Sequence, residues 1–201
     1  MKNFEFDLTL HLASFERKDL KEKISFKKGV YYWFASYSAL KKMNIDSASE
    51  KLHKHLINGQ EYCLVYIGIG PRNDQTKKQF IEQRIVNCHL GKMIKDSTFR
   101  LSVATLLGEK GCIGKNSKCY LLEEREIELS KFIVKEFCVC LTKNEKPWEN
   151  ESNLINCLQP PLNLHHNKNG WNYETMKRKR EEFLKSCKEP STPNPVGVIL
   201  L

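Results

Sequence analysis

An acidic residue on an apolar helix face is the first candidate for chemistry in this sequence. Glu151 precedes Leu154, Ile155 and Leu158 at the i, i+3, i+4, i+7 spacing that places residues on one face of a helix. A carboxylate on a face that packs against a core is costly unless its charge is balanced, and a divalent cation would balance it. The alternative is favourable placement against the dipole in the first turn of the helix. The spacing alone leaves both interpretations open.

Two tyrosines in strand-like segments are the second candidates. GVYYWF at 29–34 and YCLVYIGIG at 62–70 are rich in aromatic and β-branched residues, which predicts strands. Side chains alternate along a strand, so we expect Tyr31 and Tyr66 to point to the side opposite the core, and Val65 to the core. Each phenol would then lie near a glycine that leaves room for a ligand. Tyrosines also fill strand surfaces without any chemical role.

The stretch DSTFRLS at 96–102 combines a helix start with a basic residue. The N-terminus of a helix exposes unpaired backbone N–H groups that bind phosphate, and Arg100 could reach the same anion. Ser97 could equally be a simple N-cap. Ser97 and Arg100 are therefore candidate substrate contacts.

Two further groups of polar residues lie near the C-terminus. The run KRKR at 177–180 includes Lys177 and Arg178, which could follow a DNA backbone with affinity that depends on salt and not on base sequence. A solvated helix face is the alternative. NLHHN at 163–167 adds Asn167 and a histidine pair, which in a turn after a helix is more often surface than ligand.

The eight cysteines do not form a recognisable metal or disulfide pattern. Six residues separate Cys112 from Cys119 and one separates Cys138 from Cys140, so neither pair has the CxxC spacing of a structural zinc site. The chain is long and its acidic N-terminal segment is unlike a secretory signal. We therefore expect reduced, mostly buried thiols.

Composition describes an ordinary globular protein with a basic surplus. The 201 residues are 40% hydrophobic and 28% charged, and 33 Lys and Arg against 24 Asp and Glu give a net charge of +9. This length supports one domain with a sizeable core, and the charge suits a polyanion such as nucleic acid. No apolar run approaches the roughly 20 residues that span a bilayer, so we expect a cytoplasmic protein without a membrane segment.

These candidates require a scaffold of strands and helices, which the hydrophobic periodicity outlines. After the two tyrosine strands, a third strand is predicted at about 132–141. One helix is predicted in DSASEKLHKHLING, where Asp46 or Ser47 would be the cap and Gly59 the stop. Four more are predicted in QFIEQRIVNCHLG, at about 98–107, around Glu151 before QPPLN, and in WNYETMKRKREEFLKSC. This order implies a small sheet covered by helices.

Three short motifs in a fixed order resemble the GIY-YIG nuclease superfamily. GVY at 29–31 and YIG at 66–68 are similar to its two signature strands. The pattern E-x-x-L-I followed by P and N, from Glu151 to Asn163, is similar to its closing motif. Each motif is weak alone, but the ordered set, with an Arg/His helix between, covers about residues 29–167.

The resemblance implies an α+β fold with a three-stranded, mainly antiparallel sheet flanked by helices. It implies hydrolysis of DNA phosphodiester bonds with one divalent cation, Mg²⁺ or Mn²⁺, per site. The corresponding residues here are the tyrosines Tyr31 and Tyr66, the helix arginine Arg84, the histidine His89, the metal ligand Glu151 and the supporting Asn163. A tyrosine acting as the general base, oriented by His89, follows the family, but the sequence does not decide which tyrosine.

The chain departs from the family pattern in three places. A helix-sized insertion separates the two tyrosine strands, and the long loop after YIG makes Arg72 an alternative to Arg84. Arg84 and His89 are five residues apart, which on an ideal α-helix separates them by about 140°. Fraying toward Gly91 could bring His89 back to the site.

We therefore predict four segments: an N-terminal extension (1–28), a GIY-YIG-like nuclease domain (29–169, with an insertion at 36–61), a basic C-terminal helix (170–189) and a flexible tail (190–201). The predicted function is a metal-dependent DNA endonuclease, with a homodimer as one way to cut both strands. The alternatives are a nucleic-acid-binding protein on the same scaffold without turnover, and a cysteine-rich adaptor.

Overall fold

An antiparallel sheet of five strands forms the centre of the fold. The structure is a computed structural model, and it describes residues 5–74, 79–91, 93–114 and 118–188. The strands are β1 (Leu8–His11), β2 (Gly29–Ala35), β3 (Lys54–Ile57), β4 (Gln60–Gly70) and β7 (Phe137–Lys143), in the spatial order β1-β7-β2-β4-β3. A separate two-stranded hairpin consists of β5 (Cys112–Ile113) and β6 (Cys119–Tyr120). The predicted α+β class is confirmed, but the sheet has five strands where three were predicted.

The two additional strands extend the sheet at its edges. β1 comes from the predicted N-terminal extension and pairs with β7, with Leu10 opposite Val139. β3 lies in the insertion, where the sequence predicted a helix ending at Gly59, and that prediction is wrong. Asn58 and Gly59 both have positive φ, 49° and 78°, which matches the primed two-residue turns that join antiparallel strands. The turn pairs β3 with β4 and excludes a helix through this segment.

Six α-helices are present in the described residues. They are α1 (Arg17–Lys23), α2 (Tyr37–Lys42), α3 (Thr98–Leu106), α4 (Glu123–Glu136), α5 (Glu151–Leu158) and α6 (Tyr173–Ser186). Short 3₁₀ turns lie at Leu12–Ser14, Ile94–Asp96 and Pro147–Glu149, and a π-helix runs from Gln83 to His89. None of the described helices has the length and apolar character needed to cross a membrane. The tail that was predicted at 190–201 lies outside the described residues.

The third strand begins later than its sequence pattern predicted. Residues 132–136 complete α4, and β7 starts at Phe137. Leu129 and Ile133 are buried at helical spacing, and the continuous run of buried apolar residues that is typical of a central strand begins only at Phe137.

Both faces of the sheet are covered by apolar residues. The larger cluster includes Tyr31 and Trp33 and also contains residues of α3 and α6, and the smaller cluster joins Tyr32 and Ile67 to Ile155 of α5. The expectation that the tyrosines point away from a core is therefore wrong. Tyr31 is fully buried because helices also pack on that side.

A β-bulge changes the predicted alternation in β4. The register shifts between Trp33, which faces Tyr66, and Phe34, which faces Leu64, so Val65 is the extra residue. Val65 and Tyr66 consequently belong to the same cluster, against the prediction that they face opposite sides.

Candidate active site

The two tyrosines lie on the same face of the sheet. Tyr31 is directly opposite Gly68, and Trp33 is directly opposite Tyr66, so the two phenols are diagonal neighbours across β2 and β4. Both are buried, and Tyr66 keeps 7% of its surface exposed. The strands thus bring together two side chains that are 35 positions apart in the sequence.

The glycine of YIG, Gly68, makes room for the tyrosine of GVY, Tyr31. A Cβ at Gly68 would lie 2.6 Å from Cε2 of Tyr31 and closer still to its Cζ and hydroxyl oxygen. Since side chains do not approach this closely, only glycine leaves the Tyr31 ring in its place.

A π-helix places Arg84 and His89 beside the same phenol. The backbone N–H of Leu90 donates to the carbonyl of Ile85 at 2.8 Å, which is an i→i−5 bond. This wider winding brings residues five apart to one side of the helix, which regular α-helical geometry would not do. Arg84 Nη2 donates to Tyr31 Oη at 3.5 Å, and His89 Nε2 lies 2.8 Å from the same oxygen. The predicted fraying toward Gly91 is therefore not what brings His89 to the site.

The N-cap of α3, Ser97, contacts His89, and the first residue of that helix, Thr98, contacts Tyr66. Ser97 Oγ lies 2.8 Å from His89 Nδ1 and accepts a hydrogen bond from the backbone N–H of Arg100 at 3.1 Å. Thr98 Oγ1 lies 2.8 Å from Tyr66 Oη. Ser97 is therefore a helix cap, as one interpretation of the sequence predicted, and it also contacts the histidine.

Burial and positive charge act in opposite directions on the pKa values of the two tyrosines, and in the same direction on the pKa of His89. Burial raises the pKa of Tyr31 and of Tyr66, and the Arg84 guanidinium partly offsets this rise in both. Burial, with help from Arg84 and Arg100, holds the pKa of His89 well below its usual value. His89 is therefore a neutral imidazole near pH 7.

Glu151 is half-buried at the first position of α5 and interacts electrostatically with both tyrosines. Burial raises its pKa, while His166, His165, Arg72 and Arg84 act in smaller measure to lower it. The carboxylate therefore lies among the basic and phenolic groups of this site, and within the described part of the chain it accepts no hydrogen bond from another side chain.

A single carboxylate suits a magnesium ion whose other ligands are water and the phosphate oxygens of the substrate. Mg²⁺ is usually held by one or two carboxylates, with waters and substrate phosphates as the other ligands. Glu151 fits this requirement. Among the described residues no group of three or more His, Cys, Asp or Glu side chains could enclose a metal by itself.

Asn163 supports the strand that carries Tyr66. Its Oδ1 accepts from the N–H of Ile67 at 2.9 Å, and its Nδ2 donates to the carbonyl of Ile67 at 2.9 Å. Asn167 in turn donates to the carbonyls of Pro160 and Asn163, each at 3.0 Å. Both asparagines are buried, and the Asn167 donor group is used inside the protein; its predicted role in substrate binding stays a prediction.

Arg100 does not reach the surface, which corrects its predicted contact with phosphate. Its side chain is fully buried and forms an ion pair with Glu126 at 2.7 Å. It also donates to Ser130 Oγ and to the backbone carbonyls of Glu126 and His89. With these acceptors inside the core, the guanidinium has a structural role between α3 and α4.

The basic run on α6 has two side chains in solvent, Lys177 and Arg178, and one, Arg180, that packs against α3. Lys177 and Arg178 are exposed, and Arg178 pairs with Glu182 at 2.7 Å. Arg180 instead donates to Ser102 Oγ at 2.7 Å and to the carbonyl of Thr98 at 3.3 Å. Burial raises the pKa of Tyr66, and the Arg180 charge opposes this rise in small measure.

A basic cleft of about 430 Å³ opens beside Arg84. Its lining includes Arg72, Arg84, Lys95, Lys118 and Thr98. The sequence pointed to Arg72 only as an alternative to Arg84 and to Arg180 only as part of the basic run at 177–180, and it did not single out Thr98. The one available signal was the position of Thr98 beside Ser97.

The fold and these contacts agree with a comparison against known families. A model of the GIY-YIG catalytic domain matches residues 29–188, and the chain belongs to this family. The match includes both the segment at 36–61 and α6. Comparisons with curated proteins and with solved structures give no significant match. Members of the family are typically nucleases, which implies a nucleic acid substrate.

Proposed function

We propose that this protein is a metal-dependent endonuclease that hydrolyses phosphodiester bonds in DNA. The observation that carries the proposal is the convergence of Arg84 and His89 on the Tyr31 hydroxyl, with Tyr66 and Glu151 within electrostatic range. Hydrolysis needs a proton acceptor for water, a binding group for the phosphate and stabilisation of the leaving oxygen, and these residue types can meet all three needs.

Arg84 is the residue that binds the scissile phosphate. Its guanidinium is always charged and presents several N–H donors in a plane, which suits two phosphate oxygens. Arg84 is one of the residues that line the basic cleft, where Arg72, Lys95 and Lys118 would add positive charge along the path of a DNA backbone.

Tyr31 is the proton acceptor for the attacking water. Burial raises the pKa of Tyr31, so its O–H proton must first pass to the neutral imidazole at His89 Nε2, 2.8 Å away, before the phenolate can accept a proton from water. Two nitrogen groups, Arg84 Nη2 and His89 Nε2, lie against its oxygen, whereas Tyr66 has the hydroxyl of Thr98 as its neighbour. Tyr66 orients the water or the phosphate from the adjacent strand.

Glu151 would hold the divalent cation, Mg²⁺ or Mn²⁺, together with water and phosphate oxygens. When bound, the cation supplies Lewis-acid stabilisation of the non-bridging and leaving oxygens. Asn163 contributes indirectly, because it fixes the backbone of β4 next to Tyr66.

Nicking of supercoiled plasmid tests the proposal. The wild-type protein should convert supercoiled DNA to the open circle in Mg²⁺, lose this activity in EDTA and recover it when Mg²⁺ is restored. Retention of plasmid in a gel shift without nicking in Mg²⁺ or Mn²⁺ would instead support a DNA-binding protein without turnover. One site cuts one strand at a time, so linear product would require a homodimer or two successive cuts.

A further inference from the structure

Arg180 is a half-buried arginine that links α6 to α3 through neutral acceptors. Its Nη2 donates to Ser102 Oγ at 2.7 Å and to the backbone carbonyl of Thr98 at 3.3 Å. Ser102 donates its own hydroxyl hydrogen to the carbonyl of Leu162 at 3.0 Å, which leaves its oxygen free to accept from Arg180. Within the described part of the chain no carboxylate pairs with this guanidinium, and its Nε is buried without a hydrogen-bond partner.

A purely structural link between helices does not require an unbalanced charge. Arg100 joins α3 to α4 in a similar way, and the Glu126 carboxylate balances its charge at 2.7 Å. Burial lowers the pKa of Arg180, which marks a surrounding that is unfavourable for its charge. Tyr66 is the acidic group that acts on this charge, and its phenol is neutral near pH 7 because burial raises its pKa. The protein alone therefore holds a fixed positive charge that a bound anion would stabilise.

The Arg180 guanidinium adjoins the basic cleft. Thr98, whose carbonyl accepts from Arg180, lines the cleft, and so does Leu184, which lies one turn after Arg180 on the same face of α6. Nη1 of Arg180 forms no hydrogen bond with the described residues, and unlike Nε it is not a buried atom, so solvent reaches it. Arg84 and Arg180 both act on the Tyr66 phenol, although they come from the π-helix and from α6. Two arginines from different elements therefore place positive charge around one tyrosine at this cleft.

We propose that Arg180 binds a phosphate of the substrate strand that neighbours the scissile phosphate held by Arg84. A guanidinium is always charged, and its remaining N–H groups suit the oxygens of a phosphate. The hydrogen bonds from Nη2 to α3 hold the guanidinium in place before the substrate binds, which reduces the entropy lost on binding. The identity of the ligand rests on the proposed function. Within the basic run of α6, the residue with this role is then the one that packs against α3.

The salt dependence of DNA binding tests this contact without requiring cleavage. The affinity of the full-length wild type, Arg180→Gln and Arg180→Lys for a labelled duplex is measured by fluorescence anisotropy in EDTA, between about 50 and 200 mM salt. Loss of one phosphate contact should lower the slope of log K against log salt by about 0.9 and the affinity near 0.1 M salt by roughly 10-fold. We expect both losses in Arg180→Gln, and the wild-type slope in Arg180→Lys. Lys185→Gln is the matched control, because it removes one charge from an exposed position of α6 and should keep the wild-type slope.

Unfolding in urea separates phosphate binding from a structural role. Glutamine keeps a donor for Ser102 Oγ and removes the charge, so the urea midpoint of Arg180→Gln should stay close to that of the wild type. The proposal would be overturned by an unchanged salt slope in Arg180→Gln, by an equal decrease in Lys185→Gln, or by a loss of affinity that only follows a loss of folded protein. A wild-type protein that does not bind DNA would overturn it as well. If the wild type binds DNA with the expected slopes but does not nick plasmid, the nuclease proposal fails and the phosphate contact stands.

Discussion

Tyr31 lies directly opposite Gly68 across β2 and β4, and its phenol ring occupies the volume that a side chain at position 68 would need. The first tyrosine of one signature motif and the final glycine of the other are therefore a single packing unit. This relationship links the sequence motifs to the site more directly than either motif does alone.

Gly68→Ala should displace the Tyr31 ring and separate it from Arg84 and His89. We expect a loss of about 1–3 kcal/mol in the free energy of unfolding from overpacking, measured by urea denaturation, and a loss of nuclease activity far larger than this destabilisation explains. Gly114→Ala is the control, since its Cβ would meet the ring edge of Tyr120 at 3.1 Å and the carbonyl oxygen of Lys118 at an ordinary contact distance of 3.6 Å. Full activity in Gly68→Ala would show that the position of the Tyr31 ring is unimportant.

Arg84→Lys keeps the positive charge but removes the planar set of donors. We expect single-strand cleavage to fall by about 100-fold, with a much smaller change in DNA affinity, because one point charge cannot replace two directed hydrogen bonds. The control is Arg125→Lys, an exposed arginine paired with Glu109. The proposed role of Arg84 would be contradicted if both lysine variants cleaved at the wild-type rate.

The buried pair of Arg100 and Glu126 should matter for folding and not for DNA contact. Arg100→Met leaves the Glu126 carboxylate without its partner, and we expect the free energy of unfolding to fall by about 3–5 kcal/mol. The double variant Arg100→Met with Glu126→Gln removes both charges and should recover part of this loss. Urea denaturation checks the prediction, and a stable Arg100→Met protein with weakened DNA binding would restore the original phosphate-contact interpretation.

His89 should make the protein less stable in mild acid. Its pKa in the folded protein is well below 6.5, so the unfolded chain binds more protons and the free energy of unfolding rises with pH in that range. The stabilisation is fully present above pH 6.5 and is lost as the pH falls toward the folded-state pKa, at up to about 1.4 kcal/mol per pH unit. His89→Gln should flatten this part of the stability curve, measured with EDTA-treated protein. Parallel curves for wild type and His89→Gln would contradict the prediction.

The sequence carried enough information to predict the tyrosine strands, α3, the helix of Glu151 and the family. These elements have strong local signals, because aromatic strands, a Ser cap and a helix ended by two prolines each depend on neighbouring residues. The hairpin at Asn58 and Gly59 also had a local signal, which the helical interpretation of the preceding residues overlooked.

Other features depend on contacts that no local pattern contains. The π-helical winding that brings Arg84 to His89, the bulge at Val65 and the burial of Arg100 against Glu126 are set by packing between distant segments. The relation of Thr98 and Arg180 to Tyr66 was missed for the same reason, since it exists only after α3 and α6 pack on the sheet.

The most direct measurement of the central claim is the nicking rate of Glu151→Gln in Mg²⁺, compared with wild type and with Glu149→Gln. Glu149 is an exposed neighbour that pairs with Lys146, so its variant controls for a lost negative charge near α5. The account predicts that Glu151→Gln loses at least about 1,000-fold in rate, while Glu149→Gln cleaves like the wild type. Wild-type cleavage by Glu151→Gln would contradict the assignment of Glu151 as the metal ligand and with it the proposed active site.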